Sequence, residues 1–254
     1  MKFQRLLGVF SVLIVTLLSG CGSLAGPSAP SEPLVVVAGA TGGTGRALVS
    51  NLQDQGYRVR AFVRDTDKAR VVLGDSVDYA EGDVREIETI TAALKGADYL
   101  ISSIGSSRSD PANNPEAVDF RGVKNLADAA AQAGLRQFVL VSSSGVTHED
   151  HFLNKVMDNV LKWKFQGEEA VRASGVPYTI VRPGGLVNAP GGKDELMMAQ
   201  GDTTSGTINR EDVALICIAA LGNQFAVGKT FETYSSEKPG ANNWDEKFSA
   251  LKAD

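Results

Sequence analysis

Three glycines stand three residues apart in the run Gly39-Ala40-Thr41-Gly42-Gly43-Thr44-Gly45-Arg46. Glycine lets a backbone turn tightly and lets other atoms approach it closely. The chemistry this spacing serves is the binding of a diphosphate. Gly39 permits the turn off a strand, Gly42 lets the main chain approach the phosphates, and Gly45 lets the following helix pack against the strand. Thr41, Gly43 and Thr44 complete the loop, and the helix it opens offers free N–H groups and a favourable dipole to an anion. Context favours this over a glycine-rich turn without ligand. An apolar run, Leu34 to Ala38, comes before it, and an amphipathic helical pattern, Gly45 to Gln55, comes after. The motif predicts a dinucleotide-binding site of the Rossmann type.

A second group of residues bears on which dinucleotide is bound. An NAD-specific site usually ends its second strand in an acid that holds the ribose 2′-hydroxyl. Here Val59-Arg60-Ala61-Phe62-Val63 ends in Arg64, with Lys68 four residues on. A guanidinium suits a 2′-phosphate by charge and by bidentate geometry. NADP(H) is therefore the preferred cofactor. NAD(H) stays open through Asp65, which serves the ribose if the chain turns one residue later. Lys68 reads either as a second cation for the phosphate or as a solvated surface lysine.

His148 and His151 also have types suited to chemistry. Either serves as a general acid near neutral pH, or both belong to an exposed loop leading into a helix. Their spacing beside carboxylates hints at a metal, but no third ligand is identifiable and none is expected. Of the two cysteines, Cys217 sits inside the apolar run Val213 to Leu221 and reads as a small core residue rather than a nucleophile.

The elements that position these residues alternate along the chain. Strand-like runs fall at 34–38, 59–63, 77–80, 99–103, 138–141, 178–181 and 230–233. Helical patterns fall at 45–55, 85–94, 115–133, 151–173, 210–221 and 244–251, with a shorter one at 69–73. Asn209 is placed to cap the helix from Arg210, with Asp212 in the capping-box position. Strict alternation implies an α/β fold: a Rossmann-like, doubly wound parallel sheet with helices on both faces and a small C-terminal extension. In the helix over 151–173, Val156, Val160, Trp163, Gly167 and Ala170 form a stripe expected to face inward.

Residues 1–20 stand apart. Lys2 and Arg5 precede an apolar stretch, Leu6 to Leu18, which runs into Ser19, Gly20 and Cys21. That order is the pattern of a secretory signal peptide, and the stretch is short for a membrane span. Its end resembles the bacterial lipobox, which implies lipidation of Cys21 and a lipoprotein anchored on the exported face of a bacterial-type membrane. An uncleaved anchor with an incidental cysteine is the alternative. Residues 21–33 then form the lipidated cysteine and a flexible tether. Residues 34–254 form the NAD(P)-binding domain, its substrate-side part beginning near residue 184. With a formal net charge of −5, nothing in the sequence suggests the basic face a nucleic-acid binder needs, and no nucleic-acid partner is expected.

From Leu34 to Tyr234 the sequence resembles the atypical short-chain dehydrogenase/reductases, in particular their NmrA-like, NAD(P)-binding branch. The resemblance is carried by 38–46, Gly82-Asp83-Val84, Val118 to Leu126, Phe138 to Gly145, Val181 to Leu186 and Arg210 to Ala214. It implies that Asp83 and Val84 contact the adenine, although Asp83 also suits a turn cap before Arg85. It implies that Ser103 passes the cofactor ribose and that Pro183 and the residues after it meet the nicotinamide. It further implies a catalytic serine at Ser144, with Ser143 the alternative, and a lysine at Lys164 that binds the ribose. The tyrosine that such enzymes use as proton donor falls on Val160, which has no proton to give. Lys164 otherwise reads as a snorkelling surface lysine.

Two functions follow. The first is an NADPH-dependent oxidoreductase acting on a small carbonyl or similar electrophile, Ser144 polarising the acceptor and water or a histidine supplying the proton. The second is a non-catalytic NADP(H)-binding redox sensor or scaffold at a membrane. A sugar isomerase or epimerase fits less well, because the chain after Gly185 is short for a substrate lobe.

Overall fold

The computed structural model describes residues 32–107 and 110–254. Ten strands are present there: β1 (Leu34–Ala38), β2 (Arg58–Val63), β3 (Asp78–Glu81), β4 (Tyr99–Ser102), β5 (Gln137–Val141), β6 (Tyr178–Pro183), β7 (Gly185–Val187), β8 (Asp194–Ala199), β9 (Thr207–Asn209) and β10 (Lys229–Pro239). The helices are α1 (Gly43–Asp54), α2 (Thr66–Leu73), α3 (Ile87–Ala93), α4 (Val123–Gln132), α5 (Phe152–Val156), α6 (Val160–Ala173), α7 (Arg210–Ala220) and α8 (Trp244–Ser249). None of the described helices is long and apolar enough to cross a membrane. The segments expected to be a signal peptide and a tether, with Cys21 between them, lie outside the described residues except at the tether's end.

The main sheet runs β3-β2-β1-β4-β5-β6-β10-β8. Every pairing in it is parallel except the last, where β8 runs antiparallel to β10. This is the doubly wound Rossmann-like arrangement expected from the alternation. Successive residues of β1 enter opposite cores. Val35 and Val37 pack with Leu48 and Leu52 of α1 and with Val213 and Cys217 of α7. Val36 and Ala38 pack with Leu126 and Ala130 of α4 and Val171 of α6. A strand buried on both faces must be apolar throughout, which is why β1 reads as an unbroken run. Strand order reverses between β1 and β4, and ligands bind beyond the strand ends at such a switch point.

Two long helices of the sequence reading are each interrupted. The segment over 115–133 begins as a wide π turn, Glu116–Gly122, before α4. The segment over 151–173 breaks into α5 and α6, because Asp158 and Asn159 take left-handed φ values of 48° and 58°. The buried side chain of Asn154 reaches across the break, its Oδ1 accepting from the N–H groups of Leu161 and Lys162. The inward stripe shifts accordingly. Val160, Leu161, Gly167, Glu168 and Val171 are buried, Trp163 and Ala170 are half-buried, and Val156 before the break is exposed. The C-terminal extension is larger than expected: β10 continues past Thr233 to pair with β8, and β7 pairs with β9 in a two-stranded sheet.

Candidate functional site

At the switch point lies a cleft of about 800 Å³ including its mouth. Gly39, Thr41, Gly42, Arg64, Asp83, Val84 and Ser103 line it together, although they come from four separate stretches of sequence. The glycines have distinct reasons to be glycine. Gly39 has φ +81°, and a Cβ there would lie 2.8 Å from the Ser103 carbonyl group. A Cβ on Gly45 would sit on the Gly39 carbonyl oxygen. At Gly42 a Cβ would stand 3.3 Å from the Gly39 carbonyl oxygen, a tight approach. Helix α1 has no side-chain cap at Gly42 and no acid in its first turn. Its first N–H groups are thus left for an anion. This cradle fits the diphosphate of a dinucleotide.

The selectivity residues separate. Arg64 lines the cleft and, among the described residues, has no carboxylate within ion-pair distance. Asp65 caps α2, its Oδ1 accepting from Lys68 N–H at 3.0 Å and its Oδ2 holding Lys68 Nζ at 2.6 Å. Those bonds lower the Asp65 pKa and raise that of Lys68. Neither residue lines the cleft. Asp83 lines the cleft, and it also makes the turn contact of its other reading, accepting from the backbone and guanidinium of Arg85. The Arg85 hydrogen bond holds the Asp83 carboxyl below its usual range, against partial burial.

The residues expected to be catalytic lie apart, round the loop after β5, and neither Ser144 nor Lys164 lines the cleft. Ser142 Oγ donates to buried Glu168 at 2.6 Å, and Ser143 Oγ donates to the Ser144 carbonyl at 3.0 Å. Ser144 N–H donates to the Pro183 carbonyl, whereas its hydroxyl has no protein partner among the described residues. Of the two serines left open by the sequence, Ser144 has the free hydroxyl. Pro183 ends β6 and does not line the cleft. Asp202 pins the loop, accepting from Gly145 N–H at 2.6 Å and from the Thr147 N–H and hydroxyl. Burial opposes its charge, but these bonds prevail and its pKa is lowered.

Lys164 is not free. Its Nζ lies 2.7 Å from Asp119 Oδ1, and Asp119 is fully buried on the π turn. The second oxygen of Asp119 accepts from Ser106 N–H. Close approach of α6 to this turn depends on Gly167, where a Cβ would strike the Asp119 carbonyl. Val160 is buried with Val146 and Leu161 in an apolar cluster. His151 Nδ1 accepts from Leu153 N–H as the cap of α5, which places its proton on Nε2, while His148 is exposed. Neither joins a metal-ligating group among the described residues. Burial raises the Cys217 thiol pKa, as suits an inert core residue.

Sequence reasoning missed Asp119, Asp202 and the buried ion set of Glu168, Arg182 and Glu232. Arg182 Nη2 lies 2.6 Å from Glu168 and Nη1 lies 3.1 Å from Glu232. For Arg182 and Glu232 the available signal was charge inside otherwise apolar strand patterns; Asp202, in a polar loop, carried none.

A family model described as NAD(P)H-binding matches residues 39–224. An uncharacterized chloroplastic protein of Arabidopsis thaliana is 34% identical over 249 residues, covering 88% of this chain and 76% of its own. Sanguinarine reductase of Eschscholzia californica is 33% identical over 258 residues, covering 85% of this chain and 94% of its own. A solved structure of a putative NAD-dependent epimerase/dehydratase from Bacillus halodurans superposes with a TM-score of 0.75 at 26% identity, over 87% of this chain and all of that one.

Proposed function

Because this chain belongs to the NAD(P)H-binding family, we propose that it is an NADPH-dependent oxidoreductase acting on a small electrophile. The observation that carries the reading is the glycine cradle opening onto a cleft in which Arg64 is a cation without a carboxylate partner among the described residues. Gly39 to Gly45 would hold the diphosphate, Asp83 and Val84 the adenine side, and Arg64 the 2′-phosphate. The cofactor supplies a hydride when bound. Similarity to a protein named as a reductase supports the same assignment.

The chain's own residues restrict the acceptor. Ser144 offers a hydroxyl donor, but Val160 offers no proton and Lys164 is committed to Asp119. A ketone that accepts hydride becomes an alkoxide and needs a proton from somewhere. A cationic C=N⁺ acceptor becomes a neutral amine and needs none. The site is therefore suited to acceptors of the second kind, with solvent as the proton source for any others. The test is NADPH consumption by the purified full chain across a panel of iminium, quinone and ketone acceptors. Preference for iminium over ketone supports the reading; efficient ketone turnover with a bell-shaped pH profile from a protein acid contradicts it.

Val160 also supports a second reading, a non-catalytic NADP(H) sensor. Tight NADPH binding with no turnover of any acceptor would select it. The sequence-based proposal of a Cys21 lipid anchor stands beside either function. Cys21→Ser should abolish acyl labelling in a bacterial host, and unchanged labelling would discard it.

A further inference from the structure

Arg210 is the first residue of α7, on the substrate-side half of the chain, yet it lies across the phosphate loop. A Cβ on Gly43 would stand 2.5 Å from Arg210 Cδ and 2.8 Å from Nε. Gly43 thus serves a purpose outside the three-glycine spacing: it leaves room for an arginine to lie over the start of α1. One end of the guanidinium is fixed, since Nη1 donates to Asn188 Oδ1 at 2.7 Å and to the Leu186 carbonyl at 3.4 Å. The Nε and Nη2 donors have no protein partner among the described residues.

Charge pairing makes the position informative. The chain has 30 acidic against 25 basic residues, so carboxylates are in excess. Among the described residues, only Arg46, Arg58, Arg64 and Arg210 of the arginines have no carboxylate within ion-pair distance. Three of these flank the phosphate loop: Arg46 in the first turn of α1, Arg64 across the cleft, and Arg210 over Gly43. The acids beside Arg210 are turned elsewhere, Glu211 to Gly191 N–H and Asp212 to Gly192 N–H and Asn209. A guanidinium kept clear of carboxylates beside uncapped helix N–H groups is arranged for an external anion.

We propose that Arg210 binds the diphosphate of the dinucleotide, from outside the βαβ unit that carries the glycine motif. The inference rests on the reading of this cleft as a dinucleotide site. It assigns different phosphates to the two arginines, Arg64 to the 2′-phosphate and Arg210 to the diphosphate shared by NADPH and NADH.

The experiment is calorimetric titration of the full chain and its Arg210→Ala variant with NADPH, NADH and adenosine 2′-monophosphate, which has no diphosphate. Loss of one charge-assisted contact should weaken both dinucleotides by about tenfold and leave adenosine 2′-monophosphate within about twofold. Arg210→Lys, which keeps the charge without the fork, should fall between wild type and alanine and serves if Arg210→Ala does not fold. Unchanged dinucleotide affinity, or equal loss for adenosine 2′-monophosphate, overturns the assignment. If the unsubstituted chain binds neither dinucleotide, the parent reading of the cleft falls; if it binds and the variants match it, only the role of Arg210 falls.

Discussion

Replacing Arg64 by alanine should change cofactor preference while sparing the fold. The side chain has no carboxylate partner among the described residues, so its loss strands no buried charge there. Asp83, the acid that lines the same cleft, keeps its three hydrogen bonds from Arg85. The stability change should therefore stay within about 0.5 kcal/mol, as for an ordinary surface substitution. Binding is different. A hydrogen bond to a charged group is worth roughly 1.5–3 kcal/mol, and exposure of Arg64 to solvent cuts this to about 1–2 kcal/mol. That corresponds to a loss of about 5- to 30-fold in NADPH affinity. NADH has no 2′-phosphate and should weaken by less than about twofold. Nicotinamide fluorescence titration of both cofactors against both proteins reads the ratio directly. Raising salt should erode the NADPH advantage of the wild type and leave the variant nearly flat. Equal loss for the two cofactors would show that Arg64 does not read the 2′-phosphate.

Further substitutions test other parts of the site. Gly45→Ala drives a Cβ into the Gly39 carbonyl, so it should abolish measurable dinucleotide binding by fluorescence titration while far-UV circular dichroism stays close to wild type. Glu168→Ala removes the acid shared by Arg182, Arg172 and Ser142 and leaves a buried guanidinium short of a partner, at a cost of about 3–5 kcal/mol in urea denaturation. Replacing Glu168 and Arg182 together by apolar residues should recover part of that loss. Asp202 has a folded pKa below its ordinary value of 3.8, so its contribution is present above that value and is lost as pH falls through the folded pKa. Melting curves should show Asp202→Asn less stable than wild type near neutrality, with the gap closing under acid conditions. A constant gap would remove Asp202 from acid sensitivity.

The parts of the fold buried on both faces were legible in sequence. Strands β1, β4 and β5 are nearly continuous apolar runs, and the three glycines are forced by a turn and two close approaches. The parts governed by partial exposure were not. Strands β7, β8 and β9 lie between 185 and 209, where Leu186, Val187 and Met197 face outward and no clean alternation survives. The break between α5 and α6 was hidden because Val156 and Val160 keep helical spacing across it. Only the tandem Asp158-Asn159 marks it, and both residue types tolerate left-handed backbone better than most. In the candidate site, residue types were readable but commitments between them were not. Lys68 and Lys164 are cations at plausible positions, and nothing local in sequence shows that Asp65 and Asp119 hold them.

The broken helix also bears on whether a tyrosine proton donor could be introduced at position 160. Val160 is the first residue of α6, packed against Val146 and Leu161, and the next two amides are already bound by Asn154. A tyrosine put there alone would meet a lysine whose charge is held by Asp119. Installing a proton donor is thus a two-step change whose first step alone brings no benefit. Val160→Tyr combined with Asp119→Asn should show a lower phenol pKa by ultraviolet titration than Val160→Tyr alone. Equal pKa values would mean that Asp119 does not mask the lysine and that one change suffices.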